Sequence, residues 1–186
     1  MRSSLRIDLR GSWAAWADIS PDLICLCKGI ANGYPLACVL GSDPMREGVR
    51  TMARMTGSFW CNGDAFAASI ATIRAMKSSG GIEKMVKLGR MLQDGLITQA
   101  KAVGLSFHVS GPPQMPFFSF PEESSKPLLE RTMILSFCNE CVSRGVWFHP
   151  FHTMFFTTAH TEADIAYTLL VSKQAFEAVA AMRGAK

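Results

Sequence analysis

Two rhythms of hydrophobic positions divide the sequence. In the first part, two short apolar runs, 23–27 and 36–40, flank a turn with the sequence KGIANGYP. An unbroken apolar run of this length is typical of a strand buried on both faces of a parallel sheet. Pro44, at a first helical turn, predicts a short helix, and the alanine-rich segment 64–78 predicts a well-buried helix.

The second part shows helical spacing followed by short extended segments. Apolar residues along one face predict a long amphipathic helix over 82–103. LSFHVSG, PFFSFPE, GVWFHP and MFFTTA predict four short strands. Pro127 opens another helix with Gly145 just past its end, and Thr161 with Asp164 forms a short capping box before the last helix. The order αββαββα predicts an α/β fold with helices packed on a largely antiparallel sheet.

The break between these rhythms is the segment SSGG at 78–81, which predicts two domains, 1–80 and 81–186. Composition is that of an ordinary globular protein, with 48% hydrophobic and 18% charged residues. The net charge of +4 comes from scattered residues, which argues against nucleic-acid binding. Apolar runs too short for a membrane span, and no signal-like amino terminus, predict a cytoplasmic protein without a membrane partner.

The six cysteines raise the question of a metal site. Cys138 and Cys141 form a CxxC motif, but they lie in a predicted helix and have no second CxxC pair. Structural zinc needs four ligands, and His149 and His152 are the only candidates nearby. We therefore predict buried thiols and no metal, while a metal-binding α/β domain stays as a weaker alternative.

Lys28 is the first candidate for chemistry, because it follows a predicted buried strand and precedes a glycine-containing loop. Open α/β sheets bind their ligands beyond the carboxyl ends of strands. A lysine at the edge of an apolar layer is poorly solvated, which favours the neutral amine that attacks an aldehyde. A solvated loop lysine is the alternative interpretation of this residue alone.

Three segments together resemble a known family. PDLICLCKGIANGYPLACVLG resembles the lysine segment of class III pyridoxal-phosphate-dependent aminotransferases, which have fold type I. TGSFWCNGDAFAASIATI and GVWFHPFHTMFFTTAHTEADI resemble two later segments of the same family, in the same order. The resemblance covers nearly the whole chain, and within the family it is to the branch that includes glutamate-1-semialdehyde aminomutase.

The resemblance implies a fold and a site. It implies the end of the cofactor-binding large domain in 1–80 and a small carboxy-terminal α/β domain in 81–186. Lys28 would form a Schiff base with pyridoxal phosphate and move a proton between the substrate and the cofactor. Gly57 and Ser58, the latter where the family commonly has Thr, would reach the cofactor phosphate across a homodimer. The substrates would be a small-molecule amino donor and an oxo acceptor.

Several motifs of the family are missing. The aspartate that pairs with the pyridine nitrogen, the glycine-rich phosphate loop and the stacking aromatic residue do not occur in this sequence. We therefore expect that Met1 corresponds to an internal position of a longer ancestor or of an incomplete gene, and that the chain is the carboxy-terminal part of the family's sequence. Such a chain would expose apolar surface in its first domain, unless another chain covers it, and would bind cofactor poorly alone. Besides an aminotransferase, two functions stay open: a non-catalytic dimerisation or interaction fragment, and aminomutase activity, which the IANGYPLA turn disfavours.

Overall fold

The computed structural model describes residues 4–9, 17–52, 57, 62–120 and 127–184. The chain forms two compact units, which we call unit 1 (Met1–Ile82) and unit 2 (Glu83–Lys186). Within the described ranges, no helix is both long and apolar enough to cross a membrane.

Unit 1 is built on a hairpin. Its strands and helices are β1 (Leu23–Leu26), β2 (Cys38–Gly41), α1 (Arg46–Met52) and α2 (Gly63–Ser78). β1 pairs antiparallel with β2, with Leu23 opposite Gly41. The expectation of a parallel arrangement is therefore wrong for this pair, because the connection is a set of tight turns and holds no crossover helix. The expectation of burial on both faces is wrong as well, since Leu23 is 53% exposed.

The core of unit 1 is small. Leu26, Ile30 and Ala31 form a buried cluster, against which a few half-buried residues pack. Most of α2 lies outside this cluster, and Phe66 and Ile70 are exposed. The prediction of a well-buried helix is thus wrong for α2, because apolar composition does not specify which element covers a helix. The expected exposure of apolar surface in the first domain is observed.

Unit 2 combines three longer helices with a second hairpin. Its elements are α3 (Gly81–Ala102, all but its first two residues), β3 (His108–Ser110), β4 (Phe117–Ser119), α4 (Pro127–Val142) and α5 (Glu162–Gly184). β3 and β4 are antiparallel, with His108 opposite Ser119, and α4 packs against α5. The amphipathic face predicted for α3 is confirmed by its buried positions Met85, Leu88, Leu92 and Leu96.

The two strands predicted in GVWFHP and MFFTTA are not present as regular strands. The MFFTTA segment nevertheless lies beside the residues that directly precede β4. There, the backbone N–H of Met154 donates to the Pro116 carbonyl at 2.9 Å, and that of Phe156 donates to the Gln114 carbonyl at 3.0 Å. These two hydrogen bonds do not continue into a ladder, so this segment is not a regular strand. The described sheet of unit 2 therefore has two strands where four were predicted.

Phenylalanine rings form the centre of unit 2. Phe120, Phe137 and Phe176 are fully buried, and the centroids of Phe137 and Phe176 lie 4.6 Å apart. Phe107 packs edge-on against Phe176 with a centroid distance of 5.0 Å. Tilted and edge-to-face pairs at these distances are the preferred aromatic geometries. Unit 2 therefore has a dense core of its own.

Local signals at the helix ends are confirmed. The Thr161 backbone N–H donates to the Asp164 carboxylate at 2.8 Å, and the Asp164 N–H donates to Thr161 Oγ1 at 3.2 Å. This is the reciprocal pattern of a capping box. After α4, Gly145 adopts φ +83°, and the N–H of Val146 donates to the Cys141 carbonyl at 3.0 Å.

Candidate functional site

Lys28 stands directly after β1, at the start of a short turn. Cys27 keeps an extended backbone, and a 3₁₀ turn follows at Lys28–Ile30, where the Ile30 N–H approaches the Cys27 carbonyl at 3.4 Å. Ile30 and Ala31 are buried in the core of unit 1, while the Lys28 side chain is exposed. The turn is therefore anchored from behind and presents the amine to solvent.

The backbone of this turn is unusual. Lys28 has φ +59° and Asn32 has φ +44°, both in the left-handed region that non-glycine residues rarely adopt. Such a conformation is stored strain of about 1–2 kcal/mol in a residue with a Cβ. Strained positions cluster at functional sites, so the observed outlier supports a functional hypothesis for Lys28.

Two neighbouring elements hold the turn. The 3₁₀ turn Ser4–Arg6 and helix α2 both contact the Lys28–Ile30 turn. Arg6 lies in this region with its guanidinium partly desolvated, and that burial lowers its pKa. The structure corrects the expectation of a poorly solvated Lys28, because its side chain is exposed although Leu26 and Ile30, two positions away on either side, are buried.

The remaining predicted site residues are less defined. Gly57 is exposed and has φ +136°, a conformation that strongly favours glycine. Ser58 lies outside the described residues. In the described part of the chain, no hydrogen bond joins Gly57 to Lys28. The phosphate contacts predicted for Gly57 and Ser58 therefore stay a prediction.

The candidate metal ligands do not form a centre. Cys138 and Cys141 are buried in α4, and desolvation raises the pKa of each thiol to about 12. His149 and His152 lie beyond α4, with ring centroids 5.6 Å apart. Over the described ranges, no group of three or more His, Cys, Asp or Glu side chains has an arrangement that could hold a metal ion.

The cavity in unit 2 was not predicted from the sequence. A cavity of about 580 Å³ lies between the segment after α4 and the start of α5. His149, His152 and His160 all line it, together with several aromatic rings. The concentration of aromatic and histidine residues in GVWFHPFHTMFF was the available signal, but spacing alone does not show that the loop encloses a space.

Comparison with protein families gives one model that matches most of the chain: aminotransferase class-III, over residues 11–176. Aminopentol aminotransferase of Sphingopyxis macrogoltabida is 35% identical over 96% of this chain and 41% of its own length. Glutamate-1-semialdehyde 2,1-aminomutase of Desulfitobacterium hafniense is 31% identical over 81% of this chain and 37% of its own length. The chain thus spans about two fifths of the curated relatives that it matches.

Solved structures agree with the sequence relatives. The pyridoxal-phosphate internal aldimine form of the Sphingopyxis sp. MTA144 FumI protein superposes with a TM-score of 0.86 at 35% identity, covering 95% of this chain and 41% of that one. An omega-transaminase from Sphaerobacter thermophilus has a TM-score of 0.83 at 19% identity, covering 95% and 42%, and supports the fold alone. The α/β fold is that of fold type I transaminases, the cofactor this implies is pyridoxal phosphate, and the chain belongs to the class-III aminotransferase family.

Proposed function

We propose that this chain carries the cofactor-holding lysine of a pyridoxal-phosphate-dependent aminotransferase, and that this lysine is Lys28. The observation that carries the proposal is the geometry of Lys28. Its amine is exposed, and its strained backbone starts a turn anchored by buried Ile30 and Ala31. A nucleophilic lysine needs an accessible amine on a rigid support, and this turn provides both.

The residues present fit the cofactor at the points they can reach. Lys28 would hold the cofactor through Nζ, which the turn leaves accessible to an aldehyde. Gly57, with φ +136° and no side chain, would let its backbone come close to the phosphate, and Ser58 would add a hydroxyl donor. When bound, pyridoxal phosphate supplies the electron sink that makes bond cleavage at the amino-bearing carbon possible.

Lys28 would also act as an acid–base group. An amine that alternates between neutral and protonated forms can take a proton from one carbon and return it to another, provided that Nζ reaches both. A flexible four-carbon side chain on a fixed backbone gives this reach. Orientation therefore comes from the anchored turn, and proton transfer comes from the side chain.

The wider proposal concerns substrates and assembly. The substrates would be a small-molecule amino donor and an oxo acceptor, as family membership indicates. An amino compound related to the aminopentol of the similar Sphingopyxis macrogoltabida enzyme is one donor to test. We further propose a cytoplasmic homodimer, with 1–80 as part of the cofactor-binding domain and 81–186 as the small domain.

A second candidate function is supported by the surface of unit 1. Exposed apolar side chains on β2 and α2, among them Val39 (63% exposed) and Ile70 (51% exposed), suit an interaction fragment without catalysis. Aminomutase activity is a further alternative, supported by relatives of that name at about 30% identity. The trapping experiment separates the interaction fragment from transamination. A substrate assay separates aminomutase activity from transamination.

The test is reductive trapping. The purified chain is incubated with pyridoxal phosphate, reduced with borohydride and mapped by peptide mass spectrometry. We expect a pyridoxyl group on Lys28 in preference to other lysines, and its loss in Lys28→Ala. The matched control is Lys77→Ala, which removes an exposed lysine of α2 and should leave labelling of Lys28 unchanged.

Two outcomes would decide against the proposal. Labelling spread evenly over many lysines would show that the Lys28 turn has no special affinity for the cofactor. A Lys28→Ala variant that is labelled as fully as the parent chain would place the cofactor elsewhere. In either case the interaction fragment becomes the better account, and the oligomeric state of the chain would be measured next.

A further inference from the structure

Two of the three asparagines in this chain directly precede a glycine, in the pairs Asn32-Gly33 and Asn62-Gly63. Such a pair can lose its side-chain amide without an enzyme, because the backbone nitrogen of the following residue can attack the carboxamide carbon and close a succinimide ring. Glycine has no Cβ to obstruct that approach. The rate then depends on whether the fold leaves the carboxamide carbon and the glycine nitrogen free to meet.

Asn32 and Gly33 are the two central residues of an exposed turn, with φ +44° and φ +112°. The turn is closed by the Tyr34 N–H, which donates to the Ala31 carbonyl at 3.2 Å. Within the described ranges, no hydrogen bond involves the Asn32 carboxamide or the Gly33 N–H. A Cβ built on Gly33 would meet nothing within 4 Å beyond its chain neighbours. The two reacting groups therefore meet without breaking an interaction, in a place open to water.

Asn62 is held differently, as the N-cap of α2. Its side-chain Oδ1 accepts the Asp64 N–H at 3.1 Å, and its own carbonyl accepts the Phe66 N–H at 3.3 Å. Turning the carboxamide carbon toward the Gly63 nitrogen would break the side-chain bond that caps the helix. A cap bond of ordinary strength makes the reactive arrangement about fivefold rarer. The chain thus contains the same dipeptide once unrestrained and once restrained.

We propose that Asn32 is a site of spontaneous deamidation, with water as the only co-reactant. A bond forms between the Gly33 nitrogen and the Asn32 side-chain carbon, the Gly33 nitrogen gives up its proton, and the side-chain nitrogen leaves as ammonia. Water then opens the ring. Addition to the side-chain carbonyl gives aspartate, addition to the backbone carbonyl gives isoaspartate, and no atom is oxidised or reduced in either step.

The product changes the turn that Lys28 starts. Either form adds a negative charge four residues after Lys28, between buried Ala31 and β2. Isoaspartate also carries the main chain through the side-chain carbon, which adds a methylene to the turn that the Tyr34 N–H closes. The site does not depend on the role proposed for Lys28, because the reaction uses only Asn32, Gly33 and water.

The test is the rate of deamidation at each asparagine of the folded full chain. Samples incubated at neutral and mildly alkaline pH are digested with trypsin, which places Asn32, Asn62 and Asn139 in three different peptides. Mass spectrometry measures the conversion of amide to acid, and an isoaspartyl methyltransferase labels the isoaspartate. Asn32 should convert about fivefold faster than Asn62. Asn139 should be slowest, because it lies within α4 and precedes Glu140, whose Cβ obstructs the attack.

Two measurements separate the effect of the fold from that of the dipeptide. In urea the helix cap of Asn62 is lost, so both pairs should convert at similar rates. Gly33→Ala should slow the conversion of Asn32, because the added Cβ stands beside the attacking nitrogen. The matched control is Gly63→Ala, where a Cβ would meet nothing within 4 Å, and it should leave the rate at Asn32 unchanged.

The comparison of asparagines in the unmodified chain tests the proposal even if Gly33→Ala, at φ +112°, fails to fold. Conversion of Asn62 as fast as that of Asn32 in the folded chain would overturn the proposal. An Asn32 peptide that converts no faster than the Asn139 peptide would do the same. A difference between Asn32 and Asn62 that persists in urea would also overturn it, since the fold would not be its cause.

Discussion

In unit 2, the rings of Phe120, Phe137 and Phe176 are fully buried, and the last two stand on helices α4 and α5. In unit 1, the buried cluster consists of Leu26, Ile30 and Ala31, and larger apolar side chains face solvent. The same chain thus contains a unit with a dense aromatic core and one with a thin aliphatic core. Apolar content is not what separates them, since both sequences are rich in apolar residues.

The difference lies in what each apolar face meets. A two-stranded hairpin is marginal on its own and needs further strands or a helix across its face. Among the described strands, β1 and β2 pair only with each other, whereas β3 and β4 sit within a unit that has three long helices. The candidate cofactor residue Lys28 therefore stands in the less densely packed unit, and the cavity lined by His149, His152 and His160 stands in the denser one.

Removing a ring from the core of unit 2 should have the largest effect. Phe137→Ala deletes a fully buried side chain with ring partners on several elements, and should reduce the free energy of unfolding of unit 2 by about 3–5 kcal/mol. Urea denaturation followed by circular dichroism measures it. Phe151→Ala, at a position 49% exposed, is the control and should lose less than about 1 kcal/mol. Equal losses would mean that the phenylalanine cluster is not the core.

A methyl group on α3 should have the next largest effect. In Gly89→Ala the added Cβ would overlap the carbonyl of Pro113, so the helix or the loop must shift, at about 1–3 kcal/mol. Gly48→Ala places the same methyl in open space on α1, where alanine should instead stabilise the helix by about 0.5–1 kcal/mol. Opposite signs of the two changes in thermal unfolding are expected; a stabilising Gly89→Ala would contradict the close approach.

Alkaline pH should destabilise unit 2. Unfolded thiols lose their protons around pH 8.5. Burial raises the pKa of Cys138 and Cys141 to about 12, so the folded unit keeps protons that the unfolded chain releases. Their stabilisation is complete below about pH 8.5 and falls as pH rises toward 12, by up to about 2 kcal/mol per thiol at pH 10.

Denaturant unfolding at several pH values measures this effect. A double variant, Cys138→Ala with Cys141→Ala, should show a shallower decline above neutrality. An identical decline in the parent chain and the double variant would mean that other groups cause it.

The strained turn at Lys28 predicts an inverted preference between glycine and alanine. At φ +59°, Lys28→Gly should be more stable than Lys28→Ala by about 1 kcal/mol, because alanine keeps the Cβ clash. At Lys77, within α2, the order should reverse by about the same amount, since helices favour alanine. Amide hydrogen exchange in residues 23–41 measures the stability difference between the two Lys28 variants. Exchange in residues 63–78 measures the difference between the two Lys77 variants. The same order at both positions would show that Lys28 is not strained.

The smallest effect is expected at the exposed face of α2. Ile70→Gln changes a side chain that is 51% exposed, so the free energy of unfolding should change by less than about 0.5 kcal/mol. If this face binds another polypeptide, the same substitution should weaken self-association in analytical ultracentrifugation. A loss of several kcal/mol would instead show that Ile70 is buried in the folded chain.

Local features were predictable from the sequence because they depend on neighbours within a few residues. The Thr161–Asp164 cap, the Gly145 helix end and the buried face of α3 all follow from short-range hydrogen bonding and helical periodicity. The family assignment also came from sequence, because three motifs in order around Lys28 are more specific than any one of them.

Long-range features required the tertiary structure. An apolar run predicts a strand but not its partner, so the antiparallel pairing of β1 with β2 and the exposure of Leu23 could not be inferred from the run. The same limit applies to α2, whose composition does not specify what covers it. The cavity beside Trp147 exists because segments far apart in the chain, 92–118 and 145–168, fold around one space. Sequence therefore determined the local chemistry and the family, while the packing of distant segments decided burial, exposure and enclosure.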